Sequence, residues 1–282
     1  MIQEYLVQDA SVKSIFEQLD LQEFENKAKD TTIKRKTQVL KEGEFWIISF
    51  ETIYNNEATA KALDSLSSVL ESHKGITILS KGSSEYYNKK LYPLINDFER
   101  LLRKLLYMVA AINKTDNASK SIQNLEALTF FDLYVLLFVD NNYAKQAKDT
   151  INQKDGKFTK KEIIELISNM QESTVWDSLI GNDLSPTLYN NLENLREYRN
   201  SVMHAHNINS DTYHEAKELY EKVNEELQEL IKNNEPFSAS ASEYLYESVQ
   251  SSIESTSRAV QEIFKNSLEE TAKSMVDMLL SS

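Results

Sequence analysis

A mainly α-helical chain with a small α/β module at its N-terminus is predicted by three features of the 282-residue sequence. Gly and Pro together number eight, under 3% of residues where about 12% is usual, which argues against turn-rich sandwiches, collagen-like repeats and Pro-rich linkers. From Ser84 onward, apolar residues recur at spacings of three and four, the period of helices that bury one face. Before that point, β-branched and aromatic residues gather in short runs bounded by Gly, as strands do.

Taken in order, Ser11 to Lys29 reads as helical. Lys36–Leu40 and Phe45–Phe50 flank Glu42-Gly43-Glu44 as a hairpin. A helix from Glu57 to Ser72 leads to the short run Ile76–Leu79, between Gly75 and Gly82. These pieces make a three-stranded module over residues 1–82. Next come Leu91, Leu94, Phe98, Leu101, Leu105, Met108 and Ile112, the seam of a long amphipathic helix with Pro93 in its first turns, where a missing amide costs little. A second helix runs from Asn124 through Leu128, Phe131, Val135 and Phe138. Thr159 and Glu162 form a capping box that opens the helix carrying Ile163, Ile164 and Ile167. Gly181 closes a short helix around Trp176–Ile180, Ser185-Pro186 opens a long one, and Asp211 begins another that reaches Asn233. Residues 83–233 therefore read as a helical bundle. Glu235-Pro236 breaks the chain, and 234–282 reads as an acidic, amphipathic helical extension that either returns onto the bundle or serves as a dimer or partner contact.

Composition excludes several chemistries. The five Gly, at 43, 75, 82, 156 and 181, have neither the Walker A spacing nor that of a dinucleotide fingerprint. With no Cys there is no thiol nucleophile, disulfide or thiolate metal site, a composition that fits the cytoplasm. The Asp155-Gly156 turn imitates a calcium loop only in part, because Ile151 and Gln153 would stand where carboxylates are needed. The start of the sequence has no basic segment leading into an apolar one, and no apolar run approaches the roughly 20 residues of a membrane span, so a soluble protein without a membrane partner is expected. Residues 211–282 hold 15 acids and 6 bases, most of the net charge of −13. Two basic patches stand against that: Lys27, Lys29, Lys34, Arg35, Lys36 and Lys41, and then Lys89, Lys90, Arg100, Arg103 and Lys104. Either is a phosphate-facing surface or a solvated one.

The helix after Pro186 carries the most informative pattern. Leu188, Leu192, Leu195, Arg199, Val202 and His206 fall at spacings of 4, 3, 4, 3 and 4, so an Arg and a His extend an apolar stripe. Burying a guanidinium without a partner costs several kcal/mol. Either Arg199 snorkels or meets a carboxylate while a His caps the helix, or the pair is held there for a ligand.

Within that stripe, Arg199-Asn200-Ser201-Val202-Met203-His204 resembles the motif of ribonucleases of the HEPN superfamily: Arg, four to six residues, then His, commonly with Asn after the Arg, in the last long helix of a four-helix bundle. Tyr92-Pro93-Leu94-Ile95-Asn96-Asp97-Phe98-Glu99-Arg100 is similar to the opening helix of bacterial members. The resemblance covers about residues 84–233. It implies a HEPN-like bundle acting as a homodimer on RNA, in which both motif helices face one cleft and the ribose 2′-hydroxyl attacks the adjacent phosphate without a metal or other cofactor. It also implies a role in phage defence by abortive infection or as a toxin, with an antitoxin or sensor protein as a possible further partner. Arg199, His204 and Asn200 are then the catalytic set, with His206 in reserve and Glu99, Arg103 and Lys104 as cleft-lining candidates.

The residue types suit that chemistry independently. Imidazole titrates near neutrality and can take or give a proton, and guanidinium offers a fixed fork of donors to a phosphate gaining charge. Asn200 can bond to substrate or orient a neighbour. Without Cys ligands or a paired-His spacing on this helix, a metal-free scheme is the simplest. His204 lies about 140° around an ideal helix from Arg199, whereas His206 returns nearly to its face; the commoner motif spacing favours His204. His73 and His214 stand alone. The competing function is a non-catalytic HEPN-like interaction or regulatory protein that binds a protein partner or RNA, and a nucleotide-binding regulator is disfavoured by the lack of a Gly-rich loop. The overall acidity argues against indiscriminate RNA coating, which relies on many basic contacts.

Overall fold

A computed structural model describes residues 1–26, 31–40, 45–112, 116–139, 158–169, 174–179, 185–233 and 245–250. It is mostly helical with one small antiparallel sheet. Its contacts group into two compact units, one of 1–98 with 187–226 and one of 99–186 with 227–282. This grouping runs across the segments 1–82, 83–233 and 234–282.

The first unit begins with β1 (Ile2–Val7), α1 (Ala10–Gln18), α2 (Leu21–Glu25), β2 (Ile33–Leu40), β3 (Phe45–Thr52), α3 (Glu57–Leu70) and β4 (Ile76–Lys81). The sheet has four strands rather than the three expected, in the order β2-β3-β1-β4, with every neighbouring pair antiparallel. Each βαβ passage thus steps over one strand, the split β-α-β arrangement. The strand missed in the sequence, β1, is a central one. Its alternation puts Gln3, Tyr5 and Val7 inward, and the buried Gln3 interrupts what would have been a plain apolar pattern. The Gln3 amide donates to the Tyr5 hydroxyl (2.9 Å) and the Leu63 carbonyl (3.2 Å), and the Tyr5 hydroxyl shares a hydrogen bond with Ser67 Oγ, 2.7 Å away. Burial pushes the Tyr5 phenol well above its ordinary pKa, so it stays protonated. Around it pack Phe16, Phe24, Ile48, Phe50, Leu63, Leu66 and Leu70, each contributing about 1.5–3 kcal/mol of burial.

The expected helix over 11–29 is two short ones, because Leu19 is extended and Asp20 caps α2 by accepting the Gln22 amide. Residues 41–44, the expected hairpin turn, lie outside the described residues, although β2 and β3 pair in the register such a turn requires.

α4 (Gly82–Ile112) leaves β4 without a loop. Pro93 is its twelfth residue, well inside rather than in the first turns, and sits at an exposed position where the helix forgoes one backbone bond. In the first unit its buried apolar residues are Tyr87, Leu91, Ile95 and Phe98. They meet α11 (Ser210–Asn233): Tyr87 stacks on Tyr213 at 4.8 Å and Phe98 meets Tyr220 edge-on at 5.7 Å. The Tyr220 hydroxyl donates to the Leu195 carbonyl (2.7 Å), and Asn224 donates to the Leu94 carbonyl (3.0 Å).

The second unit holds the remainder of α4 with α5 (Asp116–Ala127), α6 (Phe130–Phe138), α7 (Lys160–Asn169) and α8 (Val175–Leu179). The helix expected over 124–138 is interrupted at Thr129, which forms a capping box with Asp132 and starts α6 afresh. Phe138 packs on the buried Trp176 at 5.3 Å. The Thr159–Glu162 capping box is present as expected. Residues 151–157 of the rejected calcium loop, Gly181 and most of 234–282 lie outside the described residues. Among the described residues no helix is long and apolar enough to cross a membrane.

Candidate functional site

The helix expected to run unbroken from Pro186 is two, α9 (Pro186–Asn190) and α10 (Leu192–Met203). Asn191 divides them. Its side-chain amide donates to the Thr187 carbonyl (2.9 Å), while its own carbonyl accepts the first amide of the new ladder, from Leu195, at 2.9 Å. α10 buries Leu195 and Val202, and Arg199 on the same stripe is half-buried rather than sealed in the core. Its Nη1 lies 3.4 Å from Asn200 Oδ1. That position lessens the desolvation cost the stripe implies for a guanidinium.

Helix α10 stops at Met203, which corrects the expectation that His206 returns to the Arg199 face on a continuous helix. His204 occupies the C-cap. Ala205 follows with φ 52°, the left-handed region, and the chain closes a Schellman motif: the Ala205 amide donates to the Val202 carbonyl (3.1 Å) and the His206 amide to the Ser201 carbonyl (2.8 Å). An Ala in a position that favours Gly costs about 1–2 kcal/mol locally. The imidazoles of His204 and His206 come out of this turn exposed and side by side, their ring centroids 5.9 Å apart and their planes 31° from parallel.

The turn is tied down from several sides. The His206 carbonyl accepts from Asn88 Nδ2 (3.1 Å) and Ser84 Oγ (3.4 Å), both in the first turns of α4. The Ile208 amide donates to Ser84 Oγ at 2.9 Å, Asn209 caps α11 by accepting the Thr212 amide at 2.8 Å, and the Ser210 amide reaches Asp64 Oδ2 of α3 at 2.7 Å. Asp64 also lies 3.6 Å from Lys81, whose ammonium is 3.0 Å from Glu71. Burial raises the Asp64 carboxyl above its ordinary pKa, against the opposing pull of the Ser210 amide and Lys81.

Beside the turn lies a pocket of about 360 Å³, lined by Ser80 and Lys81 at the end of β4, by Ser84, Glu85, Asn88, Lys89 and Tyr92 along α4, and by Val202, Ala205 and Asn207. Sequence reasoning missed it. Its signal is an i, i+3, i+4 polar stripe on α4 through positions 85, 88, 89 and 92, alongside the apolar stripe that draws the eye.

Glu99, Arg103 and Lys104 belong to the second unit, Arg199 to the first. The Arg103 guanidinium donates to the carbonyls of Leu125 (2.9 Å) and Leu128 (2.7 Å), binding the C-terminal end of α5. Of the first basic patch, Arg35 donates to the Phe16 carbonyl and Lys36 pairs with Glu51, while Lys27, Lys29 and Lys41 lie outside the described residues. His214 lies 3.5 Å from Glu57 and packs on Tyr213, and His73 is half-buried at the end of α3. Among the described residues, no three His, Asp or Glu side chains gather as metal ligands do. No family model, curated protein or solved structure matches this chain.

Proposed function

We propose that this protein is a HEPN-type, metal-independent endoribonuclease in which two copies bring their motif helices together on one RNA strand. The observation that supports this best is the end of α10: a half-buried guanidinium with Asn200 beside it, followed by two exposed imidazoles on a turn held by Ser84 and Asn88. In the reaction one imidazole removes the 2′-hydroxyl proton as the 2′-oxygen attacks phosphorus. A second imidazole protonates the departing 5′-oxygen, and the P–O5′ bond breaks to leave a 2′,3′-cyclic phosphate and a 5′-hydroxyl. Arg199 stabilises the charge gathering on the phosphate. His204 is the first choice for proton transfer and His206 the second. The cellular role we assign is RNA cutting in phage defence or as a toxin, in the cytoplasm.

The test is expression in a bacterial host. The parent should arrest growth, and Arg199→Ala or His204→Ala should relieve the arrest while accumulating as folded protein. Arrest that persists in both variants at equal expression would refute the assignment.

One observation favours the second reading, a non-catalytic interaction protein. α7 leaves Ile163, Ile164 and Ile167 exposed along one face, at 37%, 64% and 50%, an apolar strip of the kind that marks a protein contact. On that reading Ile164→Glu abolishes partner capture, and Arg199→Ala has no effect.

A further inference from the structure

We infer that the pocket between the first turns of α4 and the Schellman turn of α10 holds one unpaired nucleotide of the RNA strand, its base stacked on Tyr92. The inference rests on the ribonuclease reading and adds a recognition subsite to it.

Three observations carry it. First, the pocket shares its wall with the motif: Val202, Ala205 and Asn207 line it, while Arg199, His204 and His206 belong to the same short stretch of chain. A nucleotide seated there would lie against the end of the motif helix and the turn that follows it. Second, the volume of about 360 Å³ is at the small end for ligand sites, which suits a single nucleotide better than a folded element. Third, the lining has the parts single-stranded recognition uses. Tyr92 is 49% exposed, and its ring is a platform that any base can stack upon. The Asn207 amide and the Ser80 hydroxyl offer it donors and acceptors for base edges or a ribose, and Asn88 adds its Oδ1 as an acceptor, its amide nitrogen being committed to the His206 carbonyl. Lys89 supplies a mobile positive charge, since its pairing with Glu85 at 2.6 Å joins two side chains that are about two-thirds exposed, and a phosphate can replace so weak a partner.

Base-paired RNA does not fit this arrangement, because a stacked base must first be splayed out of its helix. The subsite therefore selects loops, bulges and single strands, and it places that selection on α4 rather than on the catalytic helix.

The test uses the full chain and a short, mixed-sequence 2′-O-methyl RNA, which can bind but cannot undergo 2′-attack, read by fluorescence anisotropy alongside cleavage of ordinary RNA. Tyr92→Ala should weaken binding about tenfold or more, Tyr92→Phe should bind as the parent does, and Lys89→Glu should weaken binding and flatten its salt dependence. Annealing the RNA to its complement should abolish the Tyr92 effect. If the parent cleaves RNA but Tyr92→Ala and Lys89→Glu, both folded by circular dichroism, bind with parental affinity, the subsite is overturned while the ribonuclease stands. If the parent binds and Tyr92→Ala weakens it, yet ordinary RNA stays intact, the subsite stands and the ribonuclease falls. Parental failure to bind either form overturns both.

Discussion

The hydroxyl of Ser84 accepts the Ile208 amide at 2.9 Å and faces the His206 carbonyl at 3.4 Å, joining the first turn of α4 to the segment that follows the motif helix. Ser84 is buried, so nothing replaces it when it is lost. Ser84→Ala should therefore leave a buried amide unpaired and cost about 1–3 kcal/mol, lowering Tm by several degrees. Because His206 is held by the same group, RNA cleavage should fall by more than the loss of folded protein explains. Differential scanning calorimetry beside a rate assay separates the two effects.

Ala205 holds a left-handed backbone with φ 52°. Gly adopts that conformation without the Cβ penalty, although it gives the unfolded chain more freedom. The net for Ala205→Gly should be a gain of about 0.5–1 kcal/mol, read as a higher midpoint in urea with an unchanged slope. A loss of stability would mean that the turn is not the Schellman closure described.

At Gly82 the opposite holds. A Cβ there would collide with the Ile2 carbonyl oxygen and lie 2.8 Å from the Ile2 nitrogen, both backbone atoms of a central strand. Gly82→Ala should destabilise by about 2 kcal/mol or more, since neither strand nor helix can give way cheaply. Equal stability of parent and variant in guanidinium would contradict this close approach.

Asp64 links stability to pH. Its carboxyl titrates above the ordinary value chiefly because it is buried. In the range between its unfolded pKa, about 4, and its raised folded value, the native state binds the extra proton, so stability falls as pH rises through that window and then levels off. Asp64→Asn keeps an oxygen for the Ser210 amide but removes the titration, and should flatten that decline. Urea midpoints measured from acid to neutral pH check the sign; a decline of parental size in Asp64→Asn would assign it to another group.

How much of this was legible in the sequence depended on whether the governing interaction was local. The Thr159–Glu162 box, the limits of α3 and the pairing of β2 with β3 follow from neighbouring residues and were readable. β1 was not, because its buried Gln3 is acceptable only when Tyr5 and the distant Leu63 carbonyl satisfy its amide. The break at Thr129 was written in Thr129 and Asp132 but hidden beneath the strong apolar run of Leu128, Phe130 and Phe131. At the candidate site, Arg199, Asn200, His204 and His206 were visible as a pattern. The end of α10 at Met203 was not, since it depends on a left-handed Ala and on anchors from α4 and α3 far away in the chain. The same distance concealed the pocket, whose two walls lie about a hundred residues apart.

End-group analysis of RNA treated with the purified protein in EDTA tests the central claim most directly. We expect products that carry a 2′,3′-cyclic phosphate and a 5′-hydroxyl, with the rate reduced about 100-fold or more in Arg199→Ala, in keeping with the loss of a donor to the developing charge, and a comparable loss in His204→Ala. Intact RNA, or parental rates in folded Arg199→Ala and in folded variants of both His204 and His206, would contradict the account.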